Sequence, residues 1–303
     1  MSRRRAAGAA LALAAALAVT GCSAGGNGAG GNSADGASTG GHSAGTGGPA
    51  APGNAASAIP GGHVHGLAAS ADGERLLVAT HEGVFDASSG APELISDPDD
   101  FMGFVGDPDG TLWASGHPGH GSDRPNPVGL VRSEDGGRTW TTASSEGVSD
   151  FHSLAVTEAG LVGFDGRLLR TPTGESWTEV DADVRPAMLG GHPSTKTVLA
   201  TTEKGLFTSP DGGARWFAVP SAPLLQFAAL ADAERAVGVT PDGVVYSSAD
   251  AGVSWTRVGE LGSRATALTA AAEPGGPVRV WAATLDGLVE SADGGATFAP
   301  LGG

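Results

Sequence analysis

Six of the eight histidines fall between positions 63 and 152. His63 and His65 stand two apart, with His81 after them. His117 and His120 lie in a Gly- and Pro-rich run that also holds Asp123, Arg124 and Asn126. His152 follows Asp150. Three short segments share one form: His63-Val64-His65, Asp100-Phe101-Met102 and Asp150-Phe151-His152. If each is a strand, alternation puts the outer two residues of a triplet on one side and the apolar middle residue on the other. Imidazole with thioether suits copper, and imidazole with carboxylate suits zinc and other divalent ions. The candidate ligands are therefore His63, His65, His81, Met102, His117, His120 and His152, and the candidate ions are copper and zinc. The competing reading is a set of hydrogen-bonded structural histidines around a water-filled channel.

Segments so far apart in the chain need a scaffold, and the scaffold is repetitive. Four segments share a pattern: Ser133-Glu-Asp-Gly-Gly-Arg-Thr-Trp140, Ser209-Pro-Asp-Gly-Gly-Ala-Arg-Trp216, Ser248-Ala-Asp-Ala-Gly-Val-Ser-Trp255 and Ser291-Ala-Asp-Gly-Gly-Ala-Thr-Phe298. A worn fifth copy runs from Thr171 to Trp177. The aromatic anchors are spaced 37, 39, 39 and 43 residues apart, which suits one four-stranded blade per repeat. Asp-Gly-Gly favours a tight turn whose N–H groups the carboxylate can accept, with the ring packed beneath. The pattern resembles the Asp box, or BNR repeat, of sialidase-like and sortilin-like propellers. That resemblance covers residues 63–303. It implies an all-β fold and structural roles for Asp135, Trp140, Asp211, Trp216, Asp250, Trp255, Asp293 and Phe298. In proteins that carry the box, it joins the third and fourth strands of a blade, away from the active site.

Third strands are expected at Gly83, Gly129, Gly166, Gly205, Gly243 and Gly287, each followed by apolar residues. Six starts give six blades, near 63–98, 99–146, 147–182, 183–220, 221–260 and 261–303. Blade one has no good box. No segment is evident that would exchange a strand between the first and last blades. First strands line the channel of a propeller, so the three triplets fall in blades one to three. The matching places in blades four to six are read as Arg185 and Ala187, Pro223 and Leu225, and Arg264 and Thr266. His81 and the His117–Pro127 insertion belong to second-to-third strand loops on the same face. The insertion has the composition of a lid. His192 belongs to the opposite face, and His42 is given no role.

Function stays open between two classes. The resemblance implies that a sialidase would need a tyrosine nucleophile, and the single tyrosine, Tyr246, lies two residues before a box. A glycoside hydrolase acting on extracellular glycans would need two carboxylates, for which Asp100 and Asp150 are the nearest fit. The same repeats occur in non-catalytic propellers, including sortilin-like receptors and photosystem assembly factors. The leading reading is a non-catalytic binding or assembly protein with a protein, glycan or metal ligand.

The N-terminus sets the expected location. Arg3-Arg4-Arg5 precede a short apolar run ending Val19-Thr20-Gly21-Cys22. This has the layout of a secretory signal and is too short to span a bilayer. Its end resembles a lipobox, which implies cleavage after residue 21 and lipidation of Cys22 on the extracytoplasmic face of the cell membrane. Cys22 is the only cysteine, so no disulfide can form within the chain. Residues 22–58 are Gly-, Ala- and Ser-rich and read as a disordered tether with a reach of roughly 30–35 Å. Loss of residues 1–21 takes the formal charge from −16 to −19. So acidic a surface excludes nucleic acid as a partner.

Overall fold

The computed structural model describes residues 62–302, apart from 71, 108, 109 and 274. The signal, Cys22 and the tether lie outside the described residues. Within them the chain forms six four-stranded antiparallel sheets, each built from four consecutive strands. This is a six-bladed β-propeller. The first strands are Val64–Ala69, Asp100–Gly106, Ser153–Thr157, Met188–Gly191, Phe227–Leu230 and Ala265–Ala272. All lie within the blade limits read from the repeat.

Each of the four Ser-x-Asp repeats closes its third-to-fourth strand turn in the same way. In blade two, Ser133 Oγ donates to Asp135 Oδ1 at 2.9 Å and accepts from Gly137 N at 2.8 Å. Asp135 Oδ1 also accepts from Thr139 N at 2.9 Å, and Trp140 Nε1 donates to Gly137 O at 3.1 Å. Asp211, Asp250 and Asp293 repeat the carboxylate contacts, and Trp216 and Trp255 repeat the indole bond. These bonds hold the carboxylates ionised. The Ser254 hydroxyl, then its amide, bring Asp250 down to about 2. The Thr297 hydroxyl does the same for Asp293. The worn copy keeps only half of this: Thr171 Oγ1 accepts from Gly174 N, while Trp177 Nε1 donates to Ser144 of the preceding blade.

Six hydrophobic cores fill the six blade junctions among the described residues. The repeat's aromatic ring packs into the junction with the blade before it: Trp140 against the core that holds Ala68, Val84 and Phe101, and Trp216 against the core that holds Ala155, Val162 and Leu189. Among the described residues the last junction closes the ring without strand exchange. Val64, Leu67, Val78 and Phe85 of blade one pack on Ala267, Trp281, Ala283 and Leu288 of blade six. Blade one has no box ring to offer there, and Trp281, 1% exposed, fills the space from the other side. Arg279 lies over the Trp281 ring and donates to Gly73 O of blade one at 2.9 Å.

Candidate functional site

The first strands surround a channel whose wall is mostly small or aliphatic, with Ala68, Gly103, Gly190, Ala228 and Ala267 among its residues. Among its larger side chains are His65, Met102 and His152 at one mouth and His192 towards the other. The mouth residues owe their direction to their neighbours. Phe101 and Phe151 are completely buried. Phe101 stacks against Trp140 at 4.7 Å between centroids, and Phe151 against Trp177 at 4.4 Å. With its ring held in a junction, the Asp100-Phe101-Met102 triplet turns Asp100 and Met102 towards the channel face, while Asp150-Phe151-His152 lies just before the first strand of blade three and not in it, its direction set by the buried Phe151 ring. Ser115 Oγ also accepts from Phe151 N at 2.9 Å, tying that segment to blade two.

Small local distortions refine this register. Pairing shifts between Val64 and Gly66 and between Phe101 and Gly103, so His65 and Met102 sit at bulges. Ala265 to Ala267 shows the same shift, which makes Thr266 the counterpart in blade six. In blades three to five the residue just before the first strand bonds into the second strand: His152, Ala187 and Gln226. Blade five therefore presents Gln226, not Leu225, at the mouth. Leu225 is buried in the junction with blade four. The position one step outward holds His63, Asp100, Asp150, Arg185, Leu224 and Arg264.

The seven candidate ligands do not gather at one point. His65, His81 and Asp100 place one ligand atom each within 4.8 Å of one another. His65 Nε2 is 3.2 Å from both ring nitrogens of His81. His81 Nδ1 is 2.9 Å from Asp100 Oδ1, which lies 3.8 Å from His65 Nε2. The His63 ring stands beside them, 5.9 Å from that of His81. Burial, then the neighbouring His81, lowers the pKa of His65 below the usual imidazole value, against a raising effect from Asp100. His65 is therefore neutral at pH 7, the form that ligates metal.

His117 and His152 form a second group around Asp150. His152 Nε2 is 2.7 Å and His117 Nε2 3.4 Å from Asp150 Oδ2. The backbone brings His117 there by a close approach: a Cβ on Gly116 (φ +154°) would lie 1.9 Å from Asp100 O. Gly103 likewise lets the first strand of blade two meet the segment that leads into the first strand of blade three, since its Cβ would fall 2.3 Å from Phe151 O. Met102 lines the channel with His65 and His152.

His120 is exposed and lines a separate hollow with Asp97, Asp99, Arg124 and Trp140. The insertion that carries it is anchored. Asp99, which is buried, accepts from Gly119 N at 2.8 Å and from Arg124 Nη1 at 2.6 Å. Sequence reading did not identify Asp99. Its signal was the Asp97-Pro-Asp-Asp100 run, which puts a second carboxylate beside Asp100 but on the other side of the strand.

No family model and no curated protein matches this sequence. Solved structures do match in fold. A GH74 xyloglucanase from Xanthomonas campestris aligns at 18% identity and a TM-score of 0.56, covering 78% of this chain and 38% of that one. A GH74 enzyme from Niastella koreensis aligns at 19% identity and 0.55, covering 78% and 37%. YCF48 from Cyanidioschyzon merolae aligns at 14% identity and 0.51, covering 78% and 98%. The chain spans less than two fifths of the two GH74 chains and nearly all of YCF48. At these identities the likeness is one of fold.

Proposed function

We propose that this propeller is a non-catalytic binding module that holds a divalent transition ion, zinc or copper, at His65, His81 and Asp100. The observation that carries the reading is the approach of two imidazoles and a carboxylate, from three separate segments, to within 4.8 Å. Three protein ligands with a position left open is a common zinc arrangement. An ion held so would have that position free for a donor group of a protein or glycan partner at the mouth. The two carboxylates that a hydrolase would use are both engaged by histidine, Asp100 by His81 and Asp150 by His152, which favours binding over hydrolysis. The four Ser-x-Asp turns are Asp boxes on this reading and serve the fold. Calorimetric titration with zinc and with copper(II) tests the site. The wild type should bind, a His65→Ala/His81→Ala variant should lose the event, and binding by the wild type should weaken progressively as the pH falls below about 6.5. Equal affinity in the two proteins would make the cluster structural.

We further propose, from the Val19-Thr20-Gly21-Cys22 ending of the N-terminal apolar run, that the domain lies outside the cell, tethered through lipid on Cys22. Cys22→Ala should move the protein from the membrane fraction to the medium. Wild-type protein recovered free, with Cys22 unmodified, would refute the anchor.

A further inference from the structure

Five of the six blades join their second and third strands through two to four residues, as between Thr80 and Gly83 or between Val239 and Val244. Blade two takes twelve, between His117 and Leu130. A turn needs no such length, and long loops in compact domains are mostly functional or linkers. This one is pinned. Gly119 lies so close to the chain entering blade two that a Cβ on it would fall 2.2 Å from Pro98 O. Val128 N donates to Gly116 O at 2.9 Å and ties down the far end. Asp99 spends one oxygen on Gly119 N and the other on Arg124 Nη1. Its side chain is only 7% exposed. Desolvating that ion pair costs free energy which the blade itself does not require, since the other five close without such a loop.

What the loop builds is a hollow of about 300 Å³, walled by the loop, the chain entering blade two and Trp140. Its chemistry is mixed. Trp140 has spent its Nε1 on Gly137 O, so it offers the hollow hydrocarbon surface. Asp97 and His120 line it and are exposed, and neither side chain makes a hydrogen bond among the described residues. Arg124 lines it too, and its Nη2 is buried without a hydrogen-bond partner among the described residues. An unpaired guanidinium N–H is costly, so an acceptor there would be favoured. Two carboxylates against one guanidinium disfavour an anion, and the unspent N–H disfavours a cation. A neutral polyhydroxyl compound meets every demand. A hydroxyl both donates and accepts, so one can serve Asp97 and the next Arg124. The C–H face of a sugar ring supplies the apolar side for Trp140. The volume is at the low end for small-molecule sites, which suits a ring or two and not a long chain.

We propose that this hollow is a sugar subsite that seats one pyranose ring of a neutral glycan. The ring lays its C–H face against Trp140, one hydroxyl donates to Asp97, and a neighbouring hydroxyl accepts from Arg124, whose guanidinium turns on Asp99 to bring Nη2 forward. The site goes beyond the ion reading and does not rest on it, since none of its residues is His65, His81 or Asp100.

Saturation-transfer NMR on the full chain, with the methyl glycosides of glucose, galactose, mannose and xylose as probes, tests this. At least one should bind, with an affinity unchanged by EDTA and in His65→Ala/His81→Ala. Asp97→Asn and Arg124→Lys should each weaken it by about 10-fold, what one hydrogen bond to a charged group is worth. Asp97→Asn removes no hydrogen bond of the free protein, so its thermal midpoint should match the wild type. Arg124→Lys keeps a cation for Asp99 but lacks the second nitrogen. Silence from all four glycosides would overturn the subsite, as would binding indifferent to both substitutions. Displacement of the sugar by inorganic phosphate would overturn it in favour of an anion site at Arg124. Loss of the sugar with EDTA or in His65→Ala/His81→Ala would move it to the ion and overturn the hollow, while the zinc titration above decides the ion reading separately.

Discussion

Two part-buried histidines, His65 and His192, are both held below the ordinary imidazole range, and burial is the main cause in each. His192 shows the consequence away from the candidate ligands. Its Nδ1 accepts from Ser194 N at 3.2 Å and lies 2.7 Å from Ser194 Oγ, so a proton on that nitrogen would cost the Ser194 N–H bond. Asp232 pulls the other way but does not win. The unfolded chain, with ordinary histidines near pKa 6.5, takes up the proton first as the pH falls. The stability that neutral His192 contributes is therefore complete above about pH 6.5 and is lost as the pH drops from there through the lower folded value. The box carboxylates do not confuse this window. Asp250 and Asp293, held at about 2, lose their contribution only as the pH falls from 3.8 through that value. Thermal midpoints measured from neutral to mildly acidic pH should fall in the wild type and fall less in His192→Gln. Equal slopes in the two proteins would clear His192.

The box and the mouth are linked at the scale of the strand. Trp140 packs on Phe101, and Phe101 sits between Asp100 and Met102. Trp216 packs on the core that holds Ala155, Val162 and Leu189, away from the candidate ligands. Each ring is partly buried, so truncation to Ala should cost about 3 kcal/mol, the lower end for large aromatic groups. Only Trp140→Ala should also weaken zinc binding, because only there does the lost ring support a strand that carries Asp100. Urea unfolding paired with zinc titration separates the two effects. Loss of zinc affinity in Trp216→Ala as well would mean general loosening. Much of this scale was legible in the sequence. A Ser-x-Asp-x-Gly turn carries its own bonding pattern within eight residues, and the Asp-Phe-Met triplet announces its facing by alternation. Blade five was misread by one residue because Leu224 and Leu225 adjoin, and hydropathy does not say which one enters the core. The bulges at His65 and Met102 left no mark, since they depend on where the facing strand ends. The split of the histidines into two groups followed from which carboxylate each could reach, a matter of neighbouring blades.

At the scale of the whole ring, the chain itself crosses five junctions and leaves the sixth to side chains. Sequence reading could find no closing strand, and among the described residues every blade is built from its own four consecutive strands. What closes the ring lies about two hundred positions apart in the chain: Arg279 donates to Gly73 O, and Trp281 lies among Leu67, Val78 and Phe85. Arginines span two other junctions in the same manner, Arg75 to Gly136 O at 2.8 Å and Arg235 to Gly276 O at 2.5 Å. There a covalent link also keeps the blades near each other. At the last junction every contact must offset the closure entropy of the whole ring. Trp281→Ala should therefore cost about 3–5 kcal/mol, as large buried aromatics do. The loss should also be uneven. The first two strands of blade one and of blade six should lose amide protection first, because they share the emptied core, while blades three and four keep theirs. Arg279→Ala should reproduce the pattern more weakly, since it removes one charged hydrogen bond and the cover of the Trp281 ring but leaves the core filled. Hydrogen exchange followed strand by strand reads this directly. If protection falls by the same amount in all six blades, the ring opens only as one cooperative unit, and the junction between its ends is no weaker than the others.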